Sequence, residues 1–251
     1  MGLQSLGSLG STASSFNSFN LNVFEPTDVF QFSIGSTINI NLSLNNISAG
    51  DDADLRLYRD VNGNGILDAT DRASGLVSSS ARGSNQDDAI NVKANAGTYF
   101  AEVSRFASGS SGDVSYDLDL SATTPTLTSD YSNLLAREFA LGSLSADVTR
   151  FGNVNDTNTA DVYSFSLGLF QGVNISLTGL SADADIRLIR DSNNNRIVDA
   201  GEEVARSSRG GTTSELISDI DLSGDYFLQV NQYSGSTAYT ATFDQFATIF
   251  A

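Results

Sequence analysis

The sequence predicts an all-β protein made of two tandem antiparallel β-sandwich domains, on three observations. Apolar residues alternate with polar ones through most of the chain, helical periodicity is nearly absent, and one half of the chain repeats the other. The repeat is explicit: Asp52 to Ala69 reads DADLRLYRDVNGNGILDA, Asp183 to Ala200 reads DADIRLIRDSNNNRIVDA, and the two agree at 12 of 18 positions. A chain of 251 residues has room for two domains of about 100–150 residues. The expected bounds are repeat one at 1–122, a linker at 123–136 and repeat two at 137–251.

Each element follows from a local pattern. Leu6-Gly7-Ser8-Leu9 answers Leu141-Gly142-Ser143-Leu144, so the first residues belong to repeat one as an edge strand or strand-like arm. Asp28 to Ser33 answers Asp161 to Ser166. Phe30, Phe32 and Ile34 then share one strand face, as do Tyr163, Phe165 and Leu167. Ile38 to Leu44 and Val173 to Leu177 alternate strictly, the signature of half-buried strands. Ala96-Gly97-Thr98-Tyr99-Phe100 answers Ser223-Gly224-Asp225-Tyr226-Phe227, and Tyr116, Leu118 and Leu120 close repeat one as Tyr239, Ala241 and Phe243 close repeat two. Short strands separated by Gly, Ser, Asn and Asp at this spacing imply a sandwich. Pro125 and the surrounding Thr and Ser residues interrupt the pattern near Thr123 to Asp130, and Asn133 to Phe139 suits a helical turn at the junction. The apolar end, Phe243 to Ala251, reads as the last strand, with an export signal as the other reading.

Composition narrows the function. Against 13 Lys and Arg stand 30 Asp and Glu, a net charge of −17, so nucleic acid and anionic membranes are poor partners. Such an excess of carboxylates repels itself unless cations bind it, and divalent cations do this best. The chain has no His and no Cys, which removes imidazole bases, thiol nucleophiles, Ser-His-Asp triads and disulfides. Paired carboxylates such as Asp117 and Asp119 are the remaining acid/base groups, and they alternate along one strand like a solvated face. No run approaches the roughly 20 apolar residues that span a bilayer, so membrane insertion is not expected. The first basic residue is Arg56 and Met1 to Phe16 lacks a continuous apolar stretch, so the opening does not read as an export signal. Either a signal has been removed or export uses an uncleaved route.

One motif carries chemistry. Counting from Asp60 gives Asn62 at position three, Asn64 at five, Gly65 at six, Ile66 at seven, Asp68 at nine and Asp71 at twelve, the ligand spacing of an EF-hand loop. The second copy gives Asp191, Asn193, Asn195, Ile197, Asp199 and Glu202 at the same ligand positions, with Arg196 at six. Side-chain oxygens on alternate residues converge on one point, the seventh residue offers its carbonyl, and the twelfth carboxylate closes the shell. Hard oxygen donors select calcium, about one ion per repeat. The preceding residues, Leu55 to Tyr58 and Ile186 to Ile189, alternate as strands, so the loops sit on β-hairpins and suit structural sites rather than helix-opening switches. Arg196 stands where the turn favours Gly, which predicts strain and a second site that is weaker or differently shaped. The same Asn, Asp and Gly residues are also ordinary turn formers. Asp51-Asp52-Ala53-Asp54 and Asp183-Ala184-Asp185 either add ligands or form a solvated strand edge. Tyr58, Phe106 and Tyr233 either face a partner or glycan or pack in the core.

The residues Asp161-Val162-Tyr163-Ser164-Phe165, Val173 to Ile186, Gly224 to Val230 and Tyr233 to Ser236 resemble the bacterial pre-peptidase C-terminal domain. Repeat one fits the same outline with longer connections, such as Ala81 to Asp88. The resemblance implies a jelly-roll-like β-sandwich, often calcium-associated, found beside secreted proteases as a targeting, solubilising or surface-binding appendage. An acidic, Cys-free chain with calcium loops also resembles substrates of type I secretion, which fold outside the cell. The expected protein is therefore non-enzymatic and calcium-binding, secreted or at the surface of a bacterium. Its expected role is structural, adhesive or self-assembling, with Met1 to Asn20 completing a neighbour's sheet. The alternative is an accessory module that binds a polysaccharide or a surface or partner protein, marked by exposed Tyr and Phe.

Overall fold

The computed structural model describes residues 3–109, 112–124 and 131–248. It divides into two compact units, Met1–Thr124 and Pro125–Ala251. In unit one, β1 (Gln4–Ser8), β3 (Thr27–Ile34), β8 (Gly97–Ala107), β5 (Asp52–Arg59) and β6 (Leu76–Ser80) lie side by side in that order. The facing sheet runs β2 (Ser14–Leu21), β9 (Val114–Thr123), β4 (Ile38–Asn45), β7 (Asp88–Ala94).

Unit two repeats this topology. One sheet is β10 (Phe139–Ser143), β12 (Ala160–Leu167), β17 (Gly224–Ser234), β14 (Asp183–Ile189), β15 (Glu203–Ser207). The other is β11 (Val148–Val154), β18 (Thr237–Ala247), β13 (Gln171–Thr178), β16 (Glu215–Ile220). Among the described strands the pairings are antiparallel except at two edges, where β1 runs parallel to β3 and β10 parallel to β12.

The alternation read from the sequence fills each core. Phe30, Phe32 and Ile34 from β3, Ile40, Leu42 and Leu44 from β4, and Tyr116, Leu118 and Leu120 from β9 meet between the sheets of unit one. Tyr163, Phe165 and Leu167 meet Tyr239, Ala241 and Phe243 in unit two. Burying each such side chain contributes about 1.5–3 kcal/mol, and the two inner faces hold the sheets together without disulfides. Phe243 belongs to β18, which ends at Ala247; residues 249–251 lie outside the described residues.

Two expectations need correcting. The connection 81–87 is no longer than its counterpart 208–214; the longer connections of repeat one include 46–51 against 179–182, 60–75 against 190–202 and 108–113 against 235–236. Residues 133–139 form no helical turn, because Leu134 bridges Ile197 and the segment lies extended on unit two. A short helix does occur at α1 (Ala69–Ser74), where Asp68 and Asp71 make a reciprocal capping box. Of the stretch expected to link the repeats, 125–130 lies outside the described residues, while Tyr131, Leu134 and Leu135 are buried. No helix among the described residues is long and apolar enough to cross a membrane.

Candidate functional site

Strand β5 delivers Asp60 to the start of the first loop, and β14 delivers Asp191 to the second through Arg190. Both loops then fold around the first carboxylate. Asp60 accepts Gly63 N on Oδ1 at 2.7 Å and Gly65 N on Oδ2 at 2.9 Å. Asp191 accepts Asn195 N on Oδ1 at 3.2 Å and Arg196 N on Oδ2 at 3.1 Å. The turn needs positive φ at positions four and six, and both loops have it: Gly63 at 71° and Gly65 at 72°, Asn194 at 57° and Arg196 at 62°. Arg196 therefore does not give the second loop a different shape; the backbone accepts the left-handed conformation at a cost of about 1–2 kcal/mol.

The remaining ligand positions close a ring. Asn62 Oδ1 accepts Asn64 N at 3.1 Å and Asn64 Oδ1 accepts Ile66 N at 2.8 Å. Their Nδ2 groups both donate to Asp68 Oδ2, at 2.9 and 2.8 Å. The second loop repeats this through Asn193 and Asn195, whose Nδ2 groups reach Asp199 Oδ2 at 2.9 and 2.8 Å. Position twelve fastens both ends. Asp71 accepts Val61 N at 2.9 Å and Asp68 N at 3.1 Å; Glu202 accepts Ser192 N at 2.8 Å and Asp199 N at 3.0 Å. Asp71 and Glu202 are buried, whereas Ile66 is exposed and Ile197 half-buried. Hydrogen bonds from Asn62, then from Thr70, Asn64 and Asp71, hold the Asp68 carboxyl down at about 2, so it is ionised through the physiological range.

The donor set fits a hard cation in kind. Each ring offers three carboxylates and two amide oxygens with no nitrogen or sulfur ligand, and an amide oxygen that accepts one hydrogen bond keeps a second lone pair. Among the described residues no group of three or more acidic side chains is drawn together closely enough to hold a metal ion.

The acidic clusters are placed elsewhere. Asp60 lies six positions beyond Asp54 along the strand, about 20 Å of rise, so Asp52 and Asp54 cannot join the first loop, nor Asp183 and Asp185 the second. Nor are they a solvated edge: Asp51, Asp52, Asp54 and Asp185 are buried. Asp51 ties together the connections 46–51 and 108–113 of unit one by accepting Gly109 N at 2.6 Å and bonding Ser48. Burial pushes Asp88, in unit one, and Asp185, in unit two, up to about 6. Asp117 and Asp119 are structural acceptors: Asp117 takes Ser18 N at 2.6 Å and Asp119 takes Asn45 Nδ2 at 2.9 Å. Tyr58 is buried beneath the Arg72 guanidinium, Tyr233 is half-buried and Phe106 is 71% exposed.

Sequence reasoning missed the segment 131–136, which docks against the second loop. Leu135 N donates to Arg196 O at 2.9 Å and Val198 N to Asn133 O at 2.8 Å. The available signal was its run of Tyr131, Leu134 and Leu135, too apolar for a solvated linker.

Comparison with known proteins agrees with the duplication. The sequence profile described as Bacterial pre-peptidase C-terminal domain matches residues 26–105 and 159–232, together more than half of the chain. Among solved structures, the pre-peptidase C-terminal domain of collagenase from Bacillus anthracis matches at 20% identity and a TM-score of 0.34, over 48% of this chain and 94% of that one. A periplasmic inhibitor of g-type lysozyme from Aeromonas hydrophila matches at 10% identity and a TM-score of 0.29, over 48% and 96%. The CUB1-EGF-CUB2 domains of rat MASP-1 match at 7% identity and a TM-score of 0.30, over 97% and 100%. No curated protein matches the sequence.

Proposed function

Because the chain belongs to the bacterial pre-peptidase C-terminal domain family, with one such domain in each repeat, we propose that it is a non-enzymatic extracellular protein whose two sandwiches are each stiffened by calcium. Domains of this family are non-catalytic and occur in secreted proteins. The reading adds that this protein serves a structural or adhesive role at the cell surface or matrix. Asp60, Asn62, Asn64, Asp68 and Asp71 would hold one ion, and Asp191, Asn193, Asn195, Asp199 and Glu202 the other, each with the seventh residue's carbonyl. The ion would supply charge neutralisation and loop closure, not chemistry.

The observation that carries the reading is the same ring of side chains in both loops, although positions two, four, six, eight, eleven and twelve differ between them. A turn needs only some of those side chains, so retention of every oxygen donor favours a shared ligand. The high net negative charge favours a cation in the same sense.

Calorimetric titration and metal analysis test this on the intact chain and on Asp60→Ala and Asp191→Ala. Two calcium ions per chain, with one lost in each variant, is the expected result; no bound metal in the parent reduces the loops to hydrogen-bonded turns.

Adhesion by strand exchange draws on the arm, since β1 and β2 are edge strands of opposite sheets and are held by β3 and β9. Calcium-dependent oligomers that vanish on deleting residues 1–20 are expected, and a monomer at every calcium level refutes it. The accessory-module reading is favoured by Phe24 and Phe106, exposed to 92% and 71% at the same end of unit one, where Arg105 N donates to Pro26 O. Binding on a glycan array, lost in Phe106→Ala, would select it.

A further inference from the structure

The two loops reach one backbone conformation by different means. In the first, Gly65 sits at φ 72° without a side chain to strain it. In the second, Arg196 sits at φ 62° and is 7% exposed, so both its backbone and its charge need support.

That support comes from residues 131–136. The Leu135 N to Arg196 O and Val198 N to Asn133 O bonds flank the bridge between Leu134 and Ile197, so the segment pairs with positions six to eight of the loop as a short antiparallel strand. The Arg196 guanidinium donates to Leu135 O at 3.3 Å and lies 5.7 Å over the Phe227 ring. The segment is in turn anchored to the sheet. Arg187 Nη2 donates to Ser132 O at 2.7 Å and Gln229 Nε2 to Leu134 O at 2.8 Å. Leu135, fully buried, packs with Val162, Ile189 and Phe227. Tyr131 bonds Asp185 through its hydroxyl, and its ring is covered by the guanidinium groups of Arg187 and Arg206, 5.7 and 5.4 Å away.

We propose that residues 131–136 are a clasp that positions the second loop, holding Arg196 in the left-handed conformation that position six requires, so that this segment, which the first loop lacks, sets the cation affinity of the second loop. The affinity part rests on the calcium reading above; the positioning part does not. Clasp and loop open together, because undocking the segment removes the Leu135 contacts of the Arg196 carbonyl and guanidinium and so withdraws support from a strained residue.

The experiment compares the full chain with Leu135→Ala and with the milder Leu135→Val, which guards against outright unfolding. Amide hydrogen exchange is followed with chelator present at Asn195, Arg196, Ile197 and Asp199 and at their counterparts Asn64, Gly65, Ile66 and Asp68. Exchange in the second loop is expected to rise about tenfold in Leu135→Ala, less in Leu135→Val, with the first loop and the β18 core unchanged. Adding Arg196→Gly to Leu135→Ala is expected to restore much of the protection, since glycine needs no clasp. Calcium titration then reads an affinity loss of about tenfold at the second loop alone. Second-loop amides as protected in Leu135→Ala as in the parent overturn the clasp. Absence of calcium binding in every protein sinks the calcium reading instead, and the exchange data still decide the clasp.

Discussion

Replacing Asp71 by Ala separates loop closure from metal binding. The Asp71 carboxylate is fully buried and accepts Val61 N on one oxygen and Asp68 N on the other. Its removal leaves two amides that water reaches only in part. At about 1.5 kcal/mol for each charge-assisted bond the loss is about 3 kcal/mol. Unit one, Met1–Thr124, unfolds with an entropy of about 0.26 kcal/mol/K, so its transition should fall by about 11 °C in chelator. For a site of about 10⁻⁴ M affinity, 10 mM calcium adds about 2.7 kcal/mol, or about 10 °C, to the parent and nothing to the variant. Differential scanning calorimetry should therefore show the gap widening from about 11 °C to about 21 °C on adding calcium, with the unit-two transition unmoved by the substitution. A variant within about 2 °C of the parent in chelator refutes the closure argument. A parent shifted by calcium with no widening of the gap removes Asp71 from the ligands.

Other substitutions test other layers of the structure. Phe243 is fully buried with its ring 5.9 Å from Tyr163 and 5.5 Å from Phe165, so Phe243→Ala should cost about 3–5 kcal/mol and lower the unit-two transition by about 11 °C or more. At Gly75 an added Cβ would fall against the Arg59 carbonyl and 2.8 Å from Asp71 O, both backbone, so Gly75→Ala should destabilise unit one by about 1–3 kcal/mol in urea unfolding. Burial raises the Asp88 carboxyl to about 6, and a raised folded value gives stability that is complete below about pH 4 and lost as pH rises through 6. Between pH 4 and 7 unit one should lose about 2–3 kcal/mol from this group, and Asp88→Asn should flatten its melting profile across that window.

The sandwich was legible because its information is local and repeated. Phe30-Gln31-Phe32-Ser33-Ile34 states its inward face by alternation alone, and the duplicated sequence states it again at Tyr163 to Leu167. The loops were legible for the same reason, since side chains at fixed spacing close a ring within one turn. What stayed hidden depends on distant partners. Alternation cannot reveal that β1 lies parallel to β3, because the pairing joins residues far apart in the chain. Asp52 and Asp54 read as added ligands or a solvated strand edge because nothing local shows that both are buried on β5. The segment 131–136 read as linker because its partners, Arg187, Arg196 and Gln229, lie some fifty to a hundred residues onward.

The differences between the repeats make sense once the cover on each sheet is compared. Arg56 pairs with Glu102 in the register where Arg187 pairs with Gln229, so the acid and the amide occupy equivalent places. In unit one the cover is Arg72 from α1, which lies 5.8 Å over Tyr58 and forms an ion pair with Glu102. Desolvating the Glu102 carboxylate is costly, and the Arg72 cation offsets that cost. In unit two the cover is the backbone of the clasp, whose Leu134 carbonyl is an acceptor and demands a donor. A glutamate there would set two acceptors against each other; Gln229 instead donates to Leu134 O through Nε2 and accepts Arg187 Nε at 2.7 Å through Oε1. Position six follows the same logic. Gly65 leaves room for Gln31 Nε2, which donates to its carbonyl at 3.0 Å, whereas Arg196 gives its carbonyl and its guanidinium to Leu135. The two loops thus keep their oxygen donors while their supports diverge, as expected if the donors answer to a common ligand and the supports only to the local cover.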